Sequence, residues 1–459
     1  MYASTGLHER ALVLYRRALE RAMRFHGQKS EAALRAAANI GQQLDELGQP
    51  EEALATLLNA DAAARSRAAD NDTNRMNIDA NLAHVYFGID VAKGLERARS
   101  AAVIARAQGP SMDGIGALSI LGDLAKTSGH LEEARKALSD AVAWIDQQSA
   151  VGVLPNILAS LGDVQDRLGQ VEAAGATIGR ALALAEKLGD LPSVHHLRFT
   201  LARHRFNNGL LREALEIGRS ESDWARAPGG DQQSSDLRVL VLANFGRTLV
   251  AYGDPPRGLK VLDEARAMLS QETTNRLGQI LIERANALVS LGRLTEADAD
   301  LKRAIEATSK SGGRVVAAAH EVRRRYLAAT GRADEALKDL SHHPLVPGEA
   351  TTTIVLLRRE AENATLLLAA GDVNAARTTA ASGLATLERL PQRRFVRDAE
   401  ARMTAVLGEA LLREGRATEA LPVLQKSLAL HLEQYDPIHS PAVANARLTL
   451  AKAQRRAAH

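Results

Sequence analysis

The stretch that decides the fold is ILASLGDVQDRLGQVEAAGATIGRALALAEKLG, residues 157–189. Its apolar residues lie three and four positions apart on both sides of Gly169, which is the spacing of one face of an α-helix. A glycine between two such segments can adopt the left-handed backbone conformation that ends a helix and begins a tight turn. The stretch therefore predicts a helical hairpin, made of a helix, a short turn and a second helix.

The same pattern recurs along the chain at intervals of 39 to 44 residues. The glycines that mark the predicted turns are Gly6, Gly48, Gly88, Gly129, Gly169, Gly209, Gly253, Gly292, Gly331, Gly371 and Gly415. Nine of these eleven glycines are followed five residues later by alanine, and a small residue is common seven residues before the glycine. Small side chains at these positions let paired helices approach closely. The repetition predicts a solenoid in which each hairpin contacts only its neighbours.

Several hairpins carry the residues of a known repeat. Leu161 and Gly162, followed by Gly169, Ala174 and Ala181, resemble the tetratricopeptide repeat, and the residues around Gly129 and Gly415 resemble it as well. The period of about 40 exceeds the usual 34, so the chain is most similar to the long repeats of kinesin-light-chain type and to arrays attached to bacterial serine/threonine kinases and regulators. The resemblance implies an all-α, right-handed α-α superhelix, a tetratricopeptide-repeat solenoid of about eleven helical hairpins plus a C-terminal capping helix.

The expected domain organisation is a single solenoid over residues 1–459. It comprises a partial first repeat at 1–27, repeats of about 40 residues over 28–436 and a capping helix at 437–459. Two polar segments, 222–236 and 341–352, are either domain boundaries or longer loops between repeats. The glycine spacing continues through both segments and favours loops.

The beginning of the sequence lacks most of a first helix before Gly6. We therefore expect this chain to be the trailing part of a longer polypeptide or to have a late assigned start; the alternative is a genuine start at Met1 with a frayed helix. A missing first helix would leave an apolar stripe exposed on the helix that follows Gly6. The stripe consists of Ala11, Leu12, Leu14, Tyr15 and Leu19.

The composition excludes several kinds of chemistry and partner. The chain has no cysteine, which removes disulfides, thiolate metal sites and cysteine nucleophiles. A formal charge of +3 over 459 residues is too small to indicate nucleic-acid binding. No apolar run approaches the roughly 18 residues that a membrane-spanning helix needs. Of the 58 basic residues 47 are arginine, which favours a GC-rich bacterial genome. We expect a cytoplasmic bacterial protein without nucleic-acid or membrane partners.

No motif for catalysis, a cofactor or a metal emerges from the sequence. It has neither a GxxxxGK[ST] phosphate-binding loop nor the kinase HRD and DFG signatures. The pairs His195-His196 and His342-His343 come nearest to a metal motif, but adjacent residues of a helix point about 100° apart. Surface histidines are the preferred interpretation. We expect no enzyme activity, no cofactor and no metal.

The resemblance implies that the first helix of each hairpin lines a concave surface that holds peptides or partner helices. Groove positions fall about six, three and ten residues before each turn glycine. Early in the chain these are polar or acidic residues: Gln42, Asp45, Asp123, Asp163 and Asp166. Later they become basic, until Glu409 reverses the sign. The predicted peptide-binding groove consists of His196, Phe199, Arg203, Phe206, Arg247 and Arg325.

Guanidinium groups match carboxylates and phosphates, so the basic groove predicts an acidic protein or peptide partner. The alternative is that these charges only solvate the face. Two functions stay open: a non-catalytic interaction scaffold in a bacterial signalling protein, or a ligand- or peptide-sensing solenoid that controls a kinase or DNA-binding output domain absent from this chain. A buried cluster of ionisable side chains in one pocket would favour an enzyme instead. The oligomeric state is not predicted.

Overall fold

The computed structural model describes residues 7–66, 73–148, 151–228, 232–269, 274–308, 313–342, 353–390 and 393–458. Within these ranges the chain forms 22 α-helices and no β-strand. It divides into two compact units, unit 1 (Met1–Gly189) and unit 2 (Asp190–His459). The expected all-α fold of successive hairpins is confirmed, while the single uninterrupted array stays a prediction.

Unit 1 has one leading helix followed by four hairpins. Its helices are α1 (His8–His26), α2 (Glu31–Glu46), α3 (Pro50–Arg65), α4 (Thr73–Phe87), α5 (Val91–Gln108), α6 (Met112–Thr127), α7 (Leu131–Gln148), α8 (Leu154–Arg167) and α9 (Val171–Leu188). A short 3-10 turn, Val151–Val153, precedes α8. The partial first repeat at 1–27, to which α1 was assigned, stays a prediction.

Unit 2 has six hairpins and a final helix. Its helices are α10 (Leu191–Asn207), α11 (Leu211–Arg226), α12 (Gln232–Tyr252), α13 (Pro255–Ala267), α14 (Thr274–Ser290), α15 (Leu294–Thr308), α16 (Gly313–Ala329), α17 (Ala333–His342), α18 (Thr353–Ala370), α19 (Val373–Glu388), α20 (Arg397–Arg413), α21 (Ala417–Gln434) and α22 (Pro441–Ala457). A 3-10 turn, Arg393–Val396, precedes α20. Ten complete hairpins, α1 and the capping helix α22 agree with the predicted count.

The turn at Gly169 illustrates how most hairpins close. Gly169 has a φ of 74°, and its N–H donates to the carbonyl of Asp166 at 3.0 Å while the N–H of Gln170 donates to Gln165 at 2.9 Å. These bonds satisfy carbonyls at the end of α8, and the positive φ is accessible to glycine without strain. Of the ten predicted turn glycines that the structure describes, nine have a positive φ; Gly88 does not.

Small residues seven positions before the turn leave room for a branched side chain of the second helix. A methyl group added at Gly162 would lie 2.5 Å from the Cγ1 of Ile178, and one added at Gly122 would lie 2.5 Å from the Cγ of Leu138. Each of these partners stands nine residues after its turn glycine. The glycine and the branched residue therefore interlock, which brings the two helices of the hairpin into close contact.

The alanines five residues after the turns form the centre of each hairpin interface. Eight of them have no exposed surface: Ala53, Ala134, Ala174, Ala214, Ala297, Ala336, Ala376 and Ala420. Alanine at these positions brings the second helix against the first helix of its own pair and against the neighbouring hairpin. A larger side chain would force the helices apart.

Within each unit the first helices of successive hairpins also pack directly on each other. In unit 1 these pairs are α2 with α4, α4 with α6 and α6 with α8; in unit 2 they include α10 with α12, α12 with α14 and α14 with α16. Helices that approach more closely occupy the inner side of a curved stack. The first helices therefore line the concave face of each unit.

Unit 2 also contains contacts between hairpins that are far apart in sequence. Arg358 of α18 donates to the carbonyl of Asn207 at the end of α10, and Arg212 of α11 donates to the carbonyl of Leu432 in α21 at 3.0 Å. The N–H of Asp436 donates to the carbonyl of Tyr252 at 2.7 Å. The expectation that each hairpin contacts only its neighbours is therefore wrong for unit 2, where the stack curves until its first and last hairpins meet.

The leading helix α1 departs from the exposed stripe expected at the start of the chain. Ala11 and Leu12 are buried, and Tyr15 and Leu19 pack partly against the core beneath them, because α1 packs on α2. Leu14 remains 48% exposed. Residues 1–6, where the missing first helix was expected, lie outside the described residues.

Both polar segments begin with residues that belong to a described helix. Ser222–Arg226 belongs to helix α11, and α12 begins at Gln232. Ser341 and His342 end α17, while residues 343–352 lie outside the described part of the chain. None of the described helices has both the length and the apolar character needed to cross a membrane.

Candidate functional site

The concave face of unit 2 carries most of the predicted groove residues. His196, Phe199, Arg203 and Phe206 follow one another on α10 at spacings of three and four residues, so they share one face of that helix. The rings of His196 and Phe199 lie 6.5 Å apart, and the guanidinium of Arg203 lies 5.7 Å from the Phe199 ring. Although the His196 side chain is exposed, partial desolvation, reinforced by the charge of Arg203, lowers its pKa.

Arg247 on α12 joins this group through Phe206. Its guanidinium lies 3.9 Å from the centre of the Phe206 ring, a cation–π contact, and donates to the side-chain carbonyl of Asn244 at 2.8 Å. Glu283, on the next first helix, is 3.9 Å away, at the limit of an ion pair. Burial lowers the pKa of Arg247, and the nearby charge of Arg203 lowers it further, against the opposing effect of Glu283.

The carboxylate of Glu283 has the complementary shift. Burial raises the pKa of Glu283, and the attraction of Arg247 only partly offsets that effect. Burial therefore disfavours the charged form of both Arg247 and Glu283. Their mutual attraction does not offset the free energy of removing both ions from water. Arg247 is only 24% exposed and holds its charge against a ring, an amide and a distant carboxylate. It can therefore accept a closer anionic partner on the concave face.

Arg325 lies apart from the α10 group. It pairs with Glu321 one turn away on α16, at 2.6 Å, and donates to the side chain of Asn286 on α14 at 3.0 Å. The charge of Arg325 is the main cause that lowers the pKa of Glu321. The groove predicted from the sequence is therefore brought together at five of its six residues, and Arg325 is locally neutralised.

A second group of charges on the same face was missed by sequence reasoning. Asp398 on α20 accepts hydrogen bonds from Arg358 on α18 at 3.3 Å and from Arg402 at 3.3 Å. Burial would raise the pKa of Asp398, but the two guanidiniums outweigh it and hold the pKa below its ordinary value. Tyr435, at the end of α21, has a pKa raised by burial and by the charge of Asp398.

The predicted basic strip is therefore interleaved with carboxylates: Glu283, Glu321 and Asp398. Of these carboxylates, Glu321 could have been predicted from the sequence. It stands ten residues before Gly331, which is a predicted groove position. Asp398, Arg358 and Tyr435 gave no such signal, because their approach depends on the curvature of unit 2. These arginines, carboxylates and the tyrosine form a set suited to holding an anion.

The polar and acidic positions predicted early in the chain lie on the first helices α2, α6 and α8 of unit 1. Asp45 lies 2.6 Å from the Nδ1 of His84, and together with Gln42 they line a small, shallow cavity of about 70 Å³. Asp123 pairs with Lys126 at 2.9 Å and accepts a hydrogen bond from Ser160 at 2.9 Å. Asp163 and Asp166 stand on α8, and Glu409 of unit 2 pairs with Arg413 at 3.0 Å. The change from acidic to basic along the chain stays a prediction.

Of the adjacent histidines, His196 and His342 are exposed, as expected, and His195 differs. His195 is not a surface histidine: its ring stacks on Trp224 at 4.0 Å, and its Nδ1 lies 2.7 Å from the buried carboxylate of Glu221. His342 ends α17, and His343 lies outside the described residues. In the described ranges no group of three or more histidine, aspartate and glutamate side chains is placed to hold a metal ion.

Stacked helical hairpins with a charged concave face define a helical-repeat scaffold. Residues 278–311, within α14 and α15, match the family model of the tetratricopeptide repeat. The resemblance to tetratricopeptide-repeat proteins is therefore confirmed. Among curated proteins, none matches the sequence significantly.

Solved structures share this fold at low sequence identity. The chain is similar to the apo quorum sensor NprR from B. thuringiensis, with 14% identity and a TM-score of 0.51 over 86% of this chain and 97% of that one. It is also similar to NprR in complex with its cognate peptide NprX, with 14% identity and a TM-score of 0.52 over 72% and 92% of the two chains. TPR-like repeats assigned to a kinesin light chain of Podosopora anserina match at 20% identity and a TM-score of 0.38, over 41% and 93%.

Proposed function

We propose that this chain is the partner-binding or regulatory part of a bacterial signalling protein, and that the concave face of unit 2 binds an acidic peptide or protein segment. The observation that carries the proposal is Arg247, a half-buried guanidinium stacked on Phe206 and separated by 3.9 Å from Glu283. A carboxylate that reaches it would add a charge-assisted hydrogen bond in a site largely shielded from water.

The side chains around Arg247 suit a peptide. Phe199 and Phe206 offer apolar surface beside the charge, and Arg203 offers a second guanidinium on the same helix face. An acidic residue flanked by an apolar one would contact both kinds of surface at once. Such a mixture of aromatic and arginine side chains is typical of the residues that dominate binding energy at interfaces.

The second candidate function is a peptide sensor that controls an output domain outside this chain. The similarity to NprR in complex with its cognate peptide supports it, because most of that chain aligns with this one at the level of the fold. The two candidates share the same concave site. They differ in whether a short peptide is the natural ligand or only mimics a segment of a larger protein.

The test measures binding of acidic peptides to the full chain by isothermal titration calorimetry. We expect Arg203→Gln and Arg247→Gln each to weaken binding about 10- to 100-fold, the effect of losing one charge-assisted hydrogen bond. Arg293→Gln is the matched control, because Arg293 pairs with Glu296 at an exposed hairpin turn. Circular dichroism should give the same helix content for all three variants.

Unchanged affinity in Arg203→Gln and Arg247→Gln would count against the concave site. To separate the two candidate functions, the same chain is used to capture partners in the presence of excess acidic peptide. A scaffold loses its protein partner when the peptide competes, whereas a sensor binds the peptide tightly with no protein partner at that face.

A further inference from the structure

The helix α1 at the start of unit 1 exposes apolar side chains that the proposed function does not use. In the described part of the chain sixteen large apolar residues are exposed, and five of them fall within residues 7–25. The final helix α22, by contrast, has one, Leu448. Three residues of α1 and its N-cap residue are spaced seven, four and seven positions apart, so they share one face of the helix. We name this set the open face of α1, and it consists of Leu7, Leu14, Ala18 and Phe25.

In the complete hairpins the first helix covers the corresponding face of the second helix. Ala18 stands twelve residues after Gly6 and is exposed. At the same distance after their turn glycines, five other second helices carry a buried alanine: Ala60, Ala141, Ala181, Ala265 and Ala304. Ala304 belongs to the same core cluster as Leu281, which stands eleven residues before the same turn on the first helix α14. The element that fits the open face of α1 is therefore an α-helix.

The open face of α1 has the length of a complete helix. From Leu7 to Phe25 it extends over about 27 Å at ~1.5 Å per residue. The first helices α6 and α14 have 16 and 17 residues and therefore span a similar ~24–26 Å. The six residues before Leu7 lie outside the described residues, and a helix of six residues would span only about 9 Å. Most of the open face is therefore accessible to another helix.

A row of arginines borders the open face. Arg10, Arg17 and Arg21 each stand three residues after a residue of that face, so they form a parallel row along one of its edges. All three are exposed, and none of them has an ion pair with another described residue. On the opposite side of α1, Arg16 pairs with Glu52 of α3 at 2.6 Å. The row therefore favours carboxylates on the helix that covers the open face.

We propose that the open face of α1 binds an amphipathic α-helix of a partner protein, with acidic residues along the edge that meets Arg10, Arg17 and Arg21. The bound helix takes the place of the first helix of a hairpin and packs its apolar side chains against Leu14 and Ala18. A second copy of α1 fits this face less well. In the antiparallel arrangement of a hairpin the two arginine rows would meet, and like charges repel. The surface belongs to unit 1 and is independent of the peptide site proposed on unit 2.

Two designed peptides test the proposal with the full chain in isothermal titration calorimetry. Both are acetylated and amidated helices of about 18 residues with leucine and alanine along one face. The acidic peptide carries glutamate along both edges of that face, and the basic peptide carries lysine at the same positions. We expect the acidic peptide to bind about 10-fold more tightly than the basic one, as three exposed ion pairs predict.

Variants assign the binding to the open face. Leu14→Glu places a charge in the apolar contact and should weaken binding of the acidic peptide about 10- to 100-fold. Val103→Glu, at a 66% exposed position of α5, is the matched control and should leave the affinity unchanged. Both positions are exposed, so circular dichroism should show the same helix content in the two variants. The triple variant Arg10→Glu, Arg17→Glu, Arg21→Glu should reverse the preference, so that the basic peptide binds more tightly.

Several outcomes would overturn the proposal. The first is absence of binding by the acidic peptide, or equal affinity of the acidic and basic peptides. Light scattering that shows a dimer of the full chain, dissociated by Leu14→Glu, would assign the open face to a second copy. Sedimentation with phosphatidylserine–phosphatidylcholine vesicles that Leu14→Glu abolishes would assign it to a lipid surface. Loss of peptide binding in a longer product of the same gene would assign it to a segment of the chain itself.

Discussion

The meeting of distant hairpins in unit 2 predicts an unusual sensitivity at Gly253. This residue has a φ of 107°, and a methyl group added there would overlap the Cβ of Ser440 and lie 2.7 Å from its Oγ and 2.8 Å from its Cα. Gly292 closes an equivalent turn with a φ of 71° and has no atom within 4 Å of an added methyl. Comparing Gly253→Ala with Gly292→Ala therefore isolates the contact between α12 and α22.

Two contributions are common to both substitutions. Alanine at a positive φ costs about 1–3 kcal/mol of native-state strain, and its smaller unfolded-state entropy offsets only about 0.4–1 kcal/mol of that cost. Gly292→Ala should therefore lose about 1 kcal/mol of stability. At Gly253 the overlap with Ser440 adds about 1–3 kcal/mol, and the φ lies further from the left-handed minimum near ~57°. We expect Gly253→Ala to lose about 2–4 kcal/mol more of local stability than Gly292→Ala.

Hydrogen exchange measured by mass spectrometry can compare the local stability of the two variants segment by segment. Protection factors of peptides covering residues 245–260 and 436–450 should fall in Gly253→Ala, and those of the same segments should be unaffected in Gly292→Ala. Ser440→Gly in the Gly253→Ala background removes the Oγ and Cβ and should restore part of the protection. A glycine at this helix N-cap itself costs only a few tenths of a kcal/mol.

Equal protection in the two alanine variants would refute the contact between residues 253 and 440. A loss in Gly253→Ala that Ser440→Gly does not relieve would assign the cost to backbone strain at Gly253 and not to the overlap.

Three further predictions concern buried groups. Arg97→Leu should destabilise unit 1 by about 1.5–3 kcal/mol in thermal unfolding, because it removes the closer of the two guanidiniums that pair with the fully buried carboxylate of Asp79, at 2.8 Å, and leaves Arg65 at 3.6 Å; Arg99→Leu, at the more exposed 2.7 Å pair with Glu133, should cost less than about 1 kcal/mol. Phe395→Ala should cost about 3–5 kcal/mol, because Phe395 has no exposed surface, whereas Phe25→Ala, at 70% exposure, should change the unfolding midpoint little. Burial lowers the pKa of His431, so the unfolded chain takes up this proton first as the pH falls through about 6.5, and stability should decrease there; His431→Leu should flatten that part of the stability–pH profile, and an unaltered slope would exclude His431 as the titrating group.

Most of the fold could be predicted from the sequence because each hairpin depends on residues that are close together in the chain. Gly162 and Ile178, like Gly122 and Leu138, are sixteen residues apart, so a hairpin is specified by residues that meet within one period. Capping residues add to the code: the side chains of Asp254 and Ser440 accept hydrogen bonds from the first turns of α13 and α22. These contacts and N-caps all involve residues no more than a few helical turns apart in the sequence.

The candidate site was predicted in part for the same reason. His196, Phe199, Arg203 and Phe206 were identified because one helix face repeats every three or four residues. Arg247 followed from its position relative to Gly253. The approach of Arg247 to Phe206, and of Arg358 to Asn207, requires side chains from separate hairpins and has no period in the sequence.

The amino-acid sequence by itself determined the hairpins, their number, the alanine-lined contacts within them and the face of α10 that points inward, because a helix and its turn depend on neighbours close in the chain. The tertiary structure alone decided that α10 and α11 meet α18 to α21, and that Asp398 joins two arginines beside that contact. The physical reason is curvature: a small rotation between successive hairpins accumulates over several repeats, and only the sum determines which distant side chains share a surface.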